Sequence, residues 1–200
     1  QPILRALLDI APEFSWVALT DATGRVIAAT EDSLIGKDFG RNVAFLSLRN
    51  GARTAIEDAA MSPDHHGLFA MTMMARVNGP AGEWKGGVIA RIGVPALEDV
   101  LTQSVMALQS LWGNAVHLEY QLLNHRGDLI ADSFLREEGQ HSLRQMGVPS
   151  AQLIDSSSSG FVEEWYPRRK TQVITGYART QGYDDEGRLY WSLLVRADRY

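Results

Sequence analysis

Two stretches of the chain, 103 positions apart (127 minus 24), carry one pattern, and a repeat of that length governs how the rest must fold. Val17–Thr30 reads VALTDATGRVIAAT and Tyr120–Ser133 reads YQLLNHRGDLIADS. Leu19 aligns with Leu122, Asp21 with Asn124, Gly24 with Gly127, Val26 with Leu129, Ile27 with Ile130 and Ala28 with Ala131. Each copy has the makings of a β-hairpin: an apolar run, an Asp or Asn, a Gly able to take positive φ, and a second apolar run. The same offset recurs where Ala75-Arg76 and Gly79 meet Ala178-Arg179 and Gly182. After a turn two residues longer in the second half, Val88-Ile89-Ala90-Arg91 aligns with Leu193-Leu194-Val195-Arg196. Each half is therefore predicted to run from a hairpin, through a connecting segment, to a hairpin of two long strands.

The connecting segments are predicted to hold short helices. Their apolar spacing is Val43, Phe45-Leu46 and Leu48 in Asn42–Arg49, and Leu143, Met146 and Leu153-Ile154 in Leu143–Ile154. Between the halves, Pro95 suits a first helical position. Leu97, Leu101, Val105, Leu108 and Trp112 then follow on one helix face, with Gly113-Asn114 as the stop. At the start, Ile3-Leu4, Leu7-Leu8 and Ile10-Ala11 read as the end of an amphipathic helix, and Arg5, Asp9 and Glu13 interrupt any signal-peptide run. With no capping residue before it, and with Tyr200 closing directly on a strand pattern, the expectation is a segment of a longer protein. The predicted fold class is α+β. Residues 1–14 end an N-terminal helix, 15–94 and 115–200 form two tandem antiparallel-sheet units, and 95–114 form the joining helix.

Composition and motifs remove several classes of function. A net charge of -5 and a pI near 5.5 oppose nucleic-acid binding, which needs clustered Lys and Arg to neutralise phosphates. The one dense basic run, Arg168-Arg169-Lys170, reads as a solvated turn. There is no cysteine, which removes disulfides, thiolate nucleophiles and Cys-ligated metals. No stretch reaches the ~20 apolar residues that a membrane span needs. Asp64-His65-His66 is the one metal-like cluster, but adjacent histidines in a loop point apart and no second ligand pair stands at helical spacing, so an exposed loop without metal is expected. Ser156–Ser159 lack the strand-turn-helix elbow that activates a serine and read as a loop. Gly79, Gly82, Gly86 and Gly87 sit in a hairpin turn rather than before a helix, so neither a phosphate cradle nor a cofactor is expected. The carboxylates are scattered, and catalysis is not expected.

Further segments narrow the reading. The first half carries TDATGRVIAAT, then LIGKDF (Leu34–Phe39), then GGVIARIGVPALEDVL (Gly86–Leu101). The second carries a turn at Gly160-Phe161-Val162-Glu163-Glu164, then TGYARTQGY (Thr175–Tyr183) and YWSLLVRAD (Tyr190–Asp198). In this order, on two sheets joined by a helix, they resemble the double Cache (tandem PDC) sensor domains of bacterial receptors, whose two units are PAS-like. The resemblance spans the chain apart from about the first dozen residues. It implies a periplasmic domain, with one transmembrane helix before Gln1 and another after Tyr200. The output it implies is a histidine kinase first, with a diguanylate cyclase or chemoreceptor as alternatives. A homodimer is expected, with Leu4, Leu7-Leu8 and Ala11 as the apolar stripe that would transmit a signal. The competing function is a protein-interaction module that binds no metabolite.

The resemblance also implies a small-molecule pocket in the first, membrane-distal unit, between the sheet and the helix-bearing loops. Amino-acid-binding members of the family place an Arg and aromatics just after the LIGKDF-like segment and an Asp at the end of the last strand. Here Arg41 takes the first position, followed by Asn42, Val43 and Ala44, and Arg91 stands where the Asp would be. Two arginines without an acid favour carboxylates through bidentate charge-assisted hydrogen bonds and repel an ammonium. A small organic anion is therefore expected rather than an α-amino acid. Another reading of Arg91 stays open: it points into solvent, or pairs with Glu57 or Asp58. Phe69, Met71 and Met73 alternate along LFAMTMMARV and share a face, either as adaptable pocket wall or as ordinary core. The expected ligand-binding set is Arg41, Phe45, Phe69, Met71, Met73 and Arg91. In the second half, Trp165, Tyr166, Tyr177, Tyr183, Tyr190 and Trp191 concentrate aromatic surface. Core packing with exposed turns is expected there, the alternative being a second pocket or a dimer contact.

Overall fold

The computed structural model describes residues 2–61, 69–112, 116–180 and 189–198, which divide into two compact units meeting in the sequence at Gly93 and Val94. The first contains α1 (Pro2–Ile10), β1 (Phe14–Thr20), β2 (Val26–Ala29), α2 (Val43–Arg49), β3 (Thr54–Met61), β4 (Phe69–Asn78) and β5 (Trp84–Gly93). The second contains α3 (Val94–Trp112), β6 (Leu118–Leu123), β7 (Leu129–Asp132), α4 (Pro149–Leu153), β8 (Ser159–Tyr166), β9 (Thr171–Arg179) and β10 (Ser192–Asp198). Each unit holds one five-stranded antiparallel sheet, in the orders β2-β1-β5-β4-β3 and β7-β6-β10-β9-β8. The two orders are the same path, so the repeat in the sequence is a repeat of topology. The chain is α+β, with two PAS-like sheets and a leading helix.

The repeated Asp/Asn and Gly have a shared cause. Asp21 Oδ1 accepts the Thr23 hydroxyl at 2.6 Å and the backbone N–H groups of Thr23, Gly24 and Arg25 at 2.9, 3.0 and 3.0 Å; the hydroxyl first, and then the backbone bonds, hold its carboxyl below the usual range. Asn124 Oδ1 accepts those of Arg126 and Asp128 at 2.9 and 3.0 Å. Gly24 (φ +101°) and Gly127 (φ +81°) then let a downstream strap lie against the hairpin: a Cβ at Gly24 would stand 2.4 Å from Gly40 N, and one at Gly127 would stand 2.7 Å from Arg144 Cβ. The straps are pinned by Phe39 N–H to Gly24 O and Leu143 N–H to Gly127 O, each at 2.9 Å. LIGKDF is the first of these straps.

A core lies on one face of each sheet. In the first unit α2 buries Ala44, Phe45 and Leu48 against Trp16, Ala18, Met74 and Ile89. In the second, Val148, Ala151 and Ile154, at and around α4, pack on Leu123, Tyr177 and Leu194. The helix predicted at 95–114 is α3. It packs on β6 and β7, where Thr102 and Tyr120 join hydroxyls at 3.0 Å.

Two sequence expectations are corrected here. Each sheet has a fifth strand, β3 or β8, that the apolar pattern did not announce, and Gly160–Glu164 lies within β8 rather than in a turn. The cause is an inverted pattern in β8: Glu164 and Tyr166 face inward, while Phe161 and Trp165 are 78% and 52% exposed. Arg168-Arg169-Lys170 does form the β8–β9 turn, but its arginines are not solvated. Arg168 pairs with buried Asp132 and with Glu137, each at 2.7 Å, and Arg169 pairs with Glu119 at 3.3 Å and Asp198 at 2.9 Å. Asp64-His65-His66, Gly113-Asn114, Gly182 and Tyr183 lie outside the described residues.

Candidate functional site

Strand register fixes which side chains of the first unit share a face. Trp16 on β1 lies opposite Arg91 on β5, Arg91 lies opposite Thr72 on β4, and Thr72 lies opposite Glu57 on β3. Directly opposed residues of antiparallel neighbours point to one side. The four therefore form a transverse row, on the side where Ala18, Met74 and Ile89 meet α2.

The row is rich in polar groups. The Arg91 guanidinium stands 5.4 Å from the centre of the Trp16 ring, a cation–π distance. Trp16 and Thr72 are each 1% exposed, yet Trp16 Nε1 and Thr72 Oγ1 have no hydrogen-bond partner among the described residues. A buried polar group in that condition costs about 1–3 kcal/mol, so two of them flanking Arg91 require a reason. At the far end, Asn42 ties the row to α2. Its side-chain oxygen caps the helix through Phe45 N–H at 3.0 Å, and its amide donates to Glu57 Oε1 at 2.7 Å. Taken together, an indole N–H, a hydroxyl and a guanidinium make a donor set suited to an oxyanion.

The structure divides the expected ligand-binding residues. Arg91 is half-buried in the row, over the Trp16 ring. Arg41 is exposed in the segment just before the Asn42 cap. Phe45 is fully buried in the core and meets Trp84 edge-to-face at 5.5 Å, so it is packing rather than pocket wall. Phe69, Met71 and Met73 lie on the other face of the sheet, since Met71 pairs with Ile92 and Met73 with Ala90 while Thr72 pairs with Arg91. They do not share a site with Arg91. Trp16 and Thr72 were missed from sequence, Glu57 was named there only as a possible partner of Arg91, and Asn42 was noted without a role in the site. The repeat held a signal for one of them: Thr72 falls on Thr175 at the offset of 103 (175 minus 72), beside the aligned pair Arg91 and Arg196.

The matching row of the second unit is Glu119, Arg196, Thr175 and Val162. Here the arginine is sealed, at 1% exposure. It bonds to Gln121, lies 3.3 Å from Ser150 Oγ, stacks 4.1 Å above the Tyr166 ring, and pairs with Glu164 at 3.5 Å. Tyr166 in turn accepts from Gln121 and from Arg168. Burial pushes Arg196 below the ordinary guanidinium range, opposed by Tyr166 and Glu164, and pushes the Glu119 carboxyl up, opposed by Arg169. Of the aromatics singled out there, Tyr166, Tyr177 and Trp191 are buried, while Trp165 is exposed.

A separate cleft of about 240 Å³ lies between α3 and β6, lined by Thr102, Val105, Met106, Tyr120, Phe134 and Arg136 among others. Among its polar groups, Tyr120 is matched with Thr102 and Arg136 with Glu98. Among the described residues no group of His, Asp or Glu could hold a metal ion, and no helix is long and apolar enough to cross a membrane.

No family model and no curated protein matches the chain. Solved structures do. An extracellular ligand binding receptor from Desulfohalobium retbaense is similar at 16% identity and a TM-score of 0.72, over 98% of this chain and 32% of that one. The extracellular domain of rpHK1S-Z16, described as a histidine kinase, is similar at 19% identity and a TM-score of 0.71, over 99% of this chain and 76% of that one. The ligand-binding domain of the Pseudomonas fluorescens chemoreceptor CtaA, in complex with L-alanine, is similar at 16% identity and a TM-score of 0.61, over 100% of this chain and 76% of that one. At these identities the likeness is one of fold. The fold is the double PAS-like fold of extracellular sensor domains, and these neighbours are ligand-binding or sensor domains rather than catalytic ones.

Proposed function

We propose that this chain is the periplasmic sensor domain of a transmembrane signal-transduction receptor, a histidine kinase before a diguanylate cyclase or chemoreceptor, and that it binds a small organic anion in its first unit. It is not an enzyme, and in the full receptor it works as a membrane-tethered homodimer. The observation that carries the reading is the row Trp16, Arg91, Thr72. It sets two buried polar atoms, without hydrogen-bond partners among the described residues, beside a guanidinium, on the face of a fold whose solved neighbours include ligand-binding domains. A ligand carboxylate would meet Arg91 with Trp16 Nε1 and Thr72 Oγ1 as accessory donors. A ligand amine would have to be met by Glu57, which Asn42 already engages; a carboxylic acid without an amine makes no such demand. Binding would signal only by favouring one of two packings over the other.

A thermal-shift screen of carboxylic acids against α-amino acids tests this. Stabilisation by simple carboxylates, lost in Arg91→Ala, is the expected result. Stabilisation by α-amino acids alone would overturn the ligand class, and no stabilisation by either, with no small molecule co-purifying, would favour a protein-interaction module.

A further inference from the structure

The α4 side of the second sheet holds a carboxylate that belongs to the chain itself. The Glu164 side chain is fully buried. Its Oε1 accepts from the hydroxyls of Ser150 at 2.7 Å and Thr175 at 2.6 Å, and lies 3.5 Å from Arg196 Nε. Its Oε2 accepts the backbone N–H of Ser150 at 2.7 Å. A cation, two hydroxyls and a backbone N–H thus converge on one carboxylate, which is what a receptor for a small carboxylate has to supply. At the centre stands the Thr175–Arg196 pair, in the same register as Thr72–Arg91 of the first unit.

We infer that Glu164 is a tethered occupant: the second unit contains a carboxylate-binding site of receptor type, permanently filled by its own strand β8. While Glu164 is in place the second unit takes no ligand there. The neighbouring groups fit this role. Gln121 and Tyr166 hold Arg196 from its other sides, so the guanidinium is positioned before any carboxylate is considered. Beyond Cβ, the Glu164 side chain is a methylene and a carboxylate, the size of acetate. Truncation at Cβ therefore leaves a space that acetate or formate fits, lined by donors with nothing to donate to. The inference stands on the second unit alone and does not depend on what the first unit binds.

The test uses the whole chain and measures Tm in sodium acetate, formate or chloride at equal ionic strength. Glu164→Ala is expected to melt lower than wild type in chloride and to recover about 5 °C in acetate. Wild type and Glu164→Gln, in which the site stays filled, are expected to show no such gain. The recovery is expected to persist in an Arg91→Ala background, which separates it from any binding in the first unit. A Glu164→Ala variant with no carboxylate-specific gain, or with a gain equal to that of wild type, overturns the inference. If that variant does not fold in chloride, refolding yield from urea is the second readout: higher yield in acetate supports the inference and equal yield overturns it.

Discussion

Arg91 and Arg196 occupy the same register position in two sheets of the same strand order, each opposite a threonine. One lies half-buried beside Trp16 and a threonine hydroxyl that lacks a partner among the described residues; the other is sealed among Glu164, Gln121, Ser150 and Tyr166. The backbone is the constant, and the change is in which neighbours satisfy the polar groups. In the second unit Arg196 and Glu164 draw partners from within, although Arg196 Nε and Glu119 Oε1 themselves have no hydrogen bond among the described residues. In the first, Trp16 Nε1 and Thr72 Oγ1 have no hydrogen-bond partner among the described residues, a cost in stability that the proposed ligand would offset.

That contrast can be broken by mutation. The largest effect is expected at Glu164→Ala, which strands the buried Arg196 cation and should lower unfolding free energy by about 3–5 kcal/mol in urea denaturation. A loss under about 1 kcal/mol would mean that the pair does not organise the second unit. Next come the matched threonines. Thr175→Val removes a hydrogen bond to a carboxylate and should cost about 1.5–3 kcal/mol. Thr72→Val removes a hydroxyl that has no partner, and should be neutral or stabilising by up to about 1 kcal/mol while weakening ligand binding. Equal losses at both positions would erase the distinction between the units.

The smallest effect concerns the outer position of each row, Trp16 in one unit and Glu119 in the other. Burial raises the Glu119 carboxyl above its ordinary range. A folded pKa above the unfolded one gives a contribution that is full below the unfolded pKa and is lost as pH rises through the folded one. Glu119→Gln should therefore gain on wild type in denaturation midpoint as pH is raised from about 4 to about 7. A difference that stays constant across that range would show that Glu119 is not penalised by burial.

Much of the architecture was legible because the repeat marks glycine and Asx positions that the backbone needs: Asp21 with Gly24, and Asn124 with Gly127, close turns and admit straps. β8 was not legible, since its inward side chains are Glu164 and Tyr166 and its outward ones Phe161 and Trp165, the reverse of a hydrophobic alternation. Arg91 stood out in the sequence, with Glu57 as one candidate partner, but Trp16 and Thr72 did not. Trp16 and Thr72 look like ordinary strand residues until register sets them beside it. The same register sends Met71 and Met73 to the opposite face, because a shift of one residue reverses every side chain on a strand.

Isothermal titration of a stabilising carboxylate into the wild-type chain and into Arg91→Ala tests the central claim most directly. A single site per chain is expected in wild type and none in Arg91→Ala. Two sites per chain, or binding that survives loss of Arg91, would contradict it.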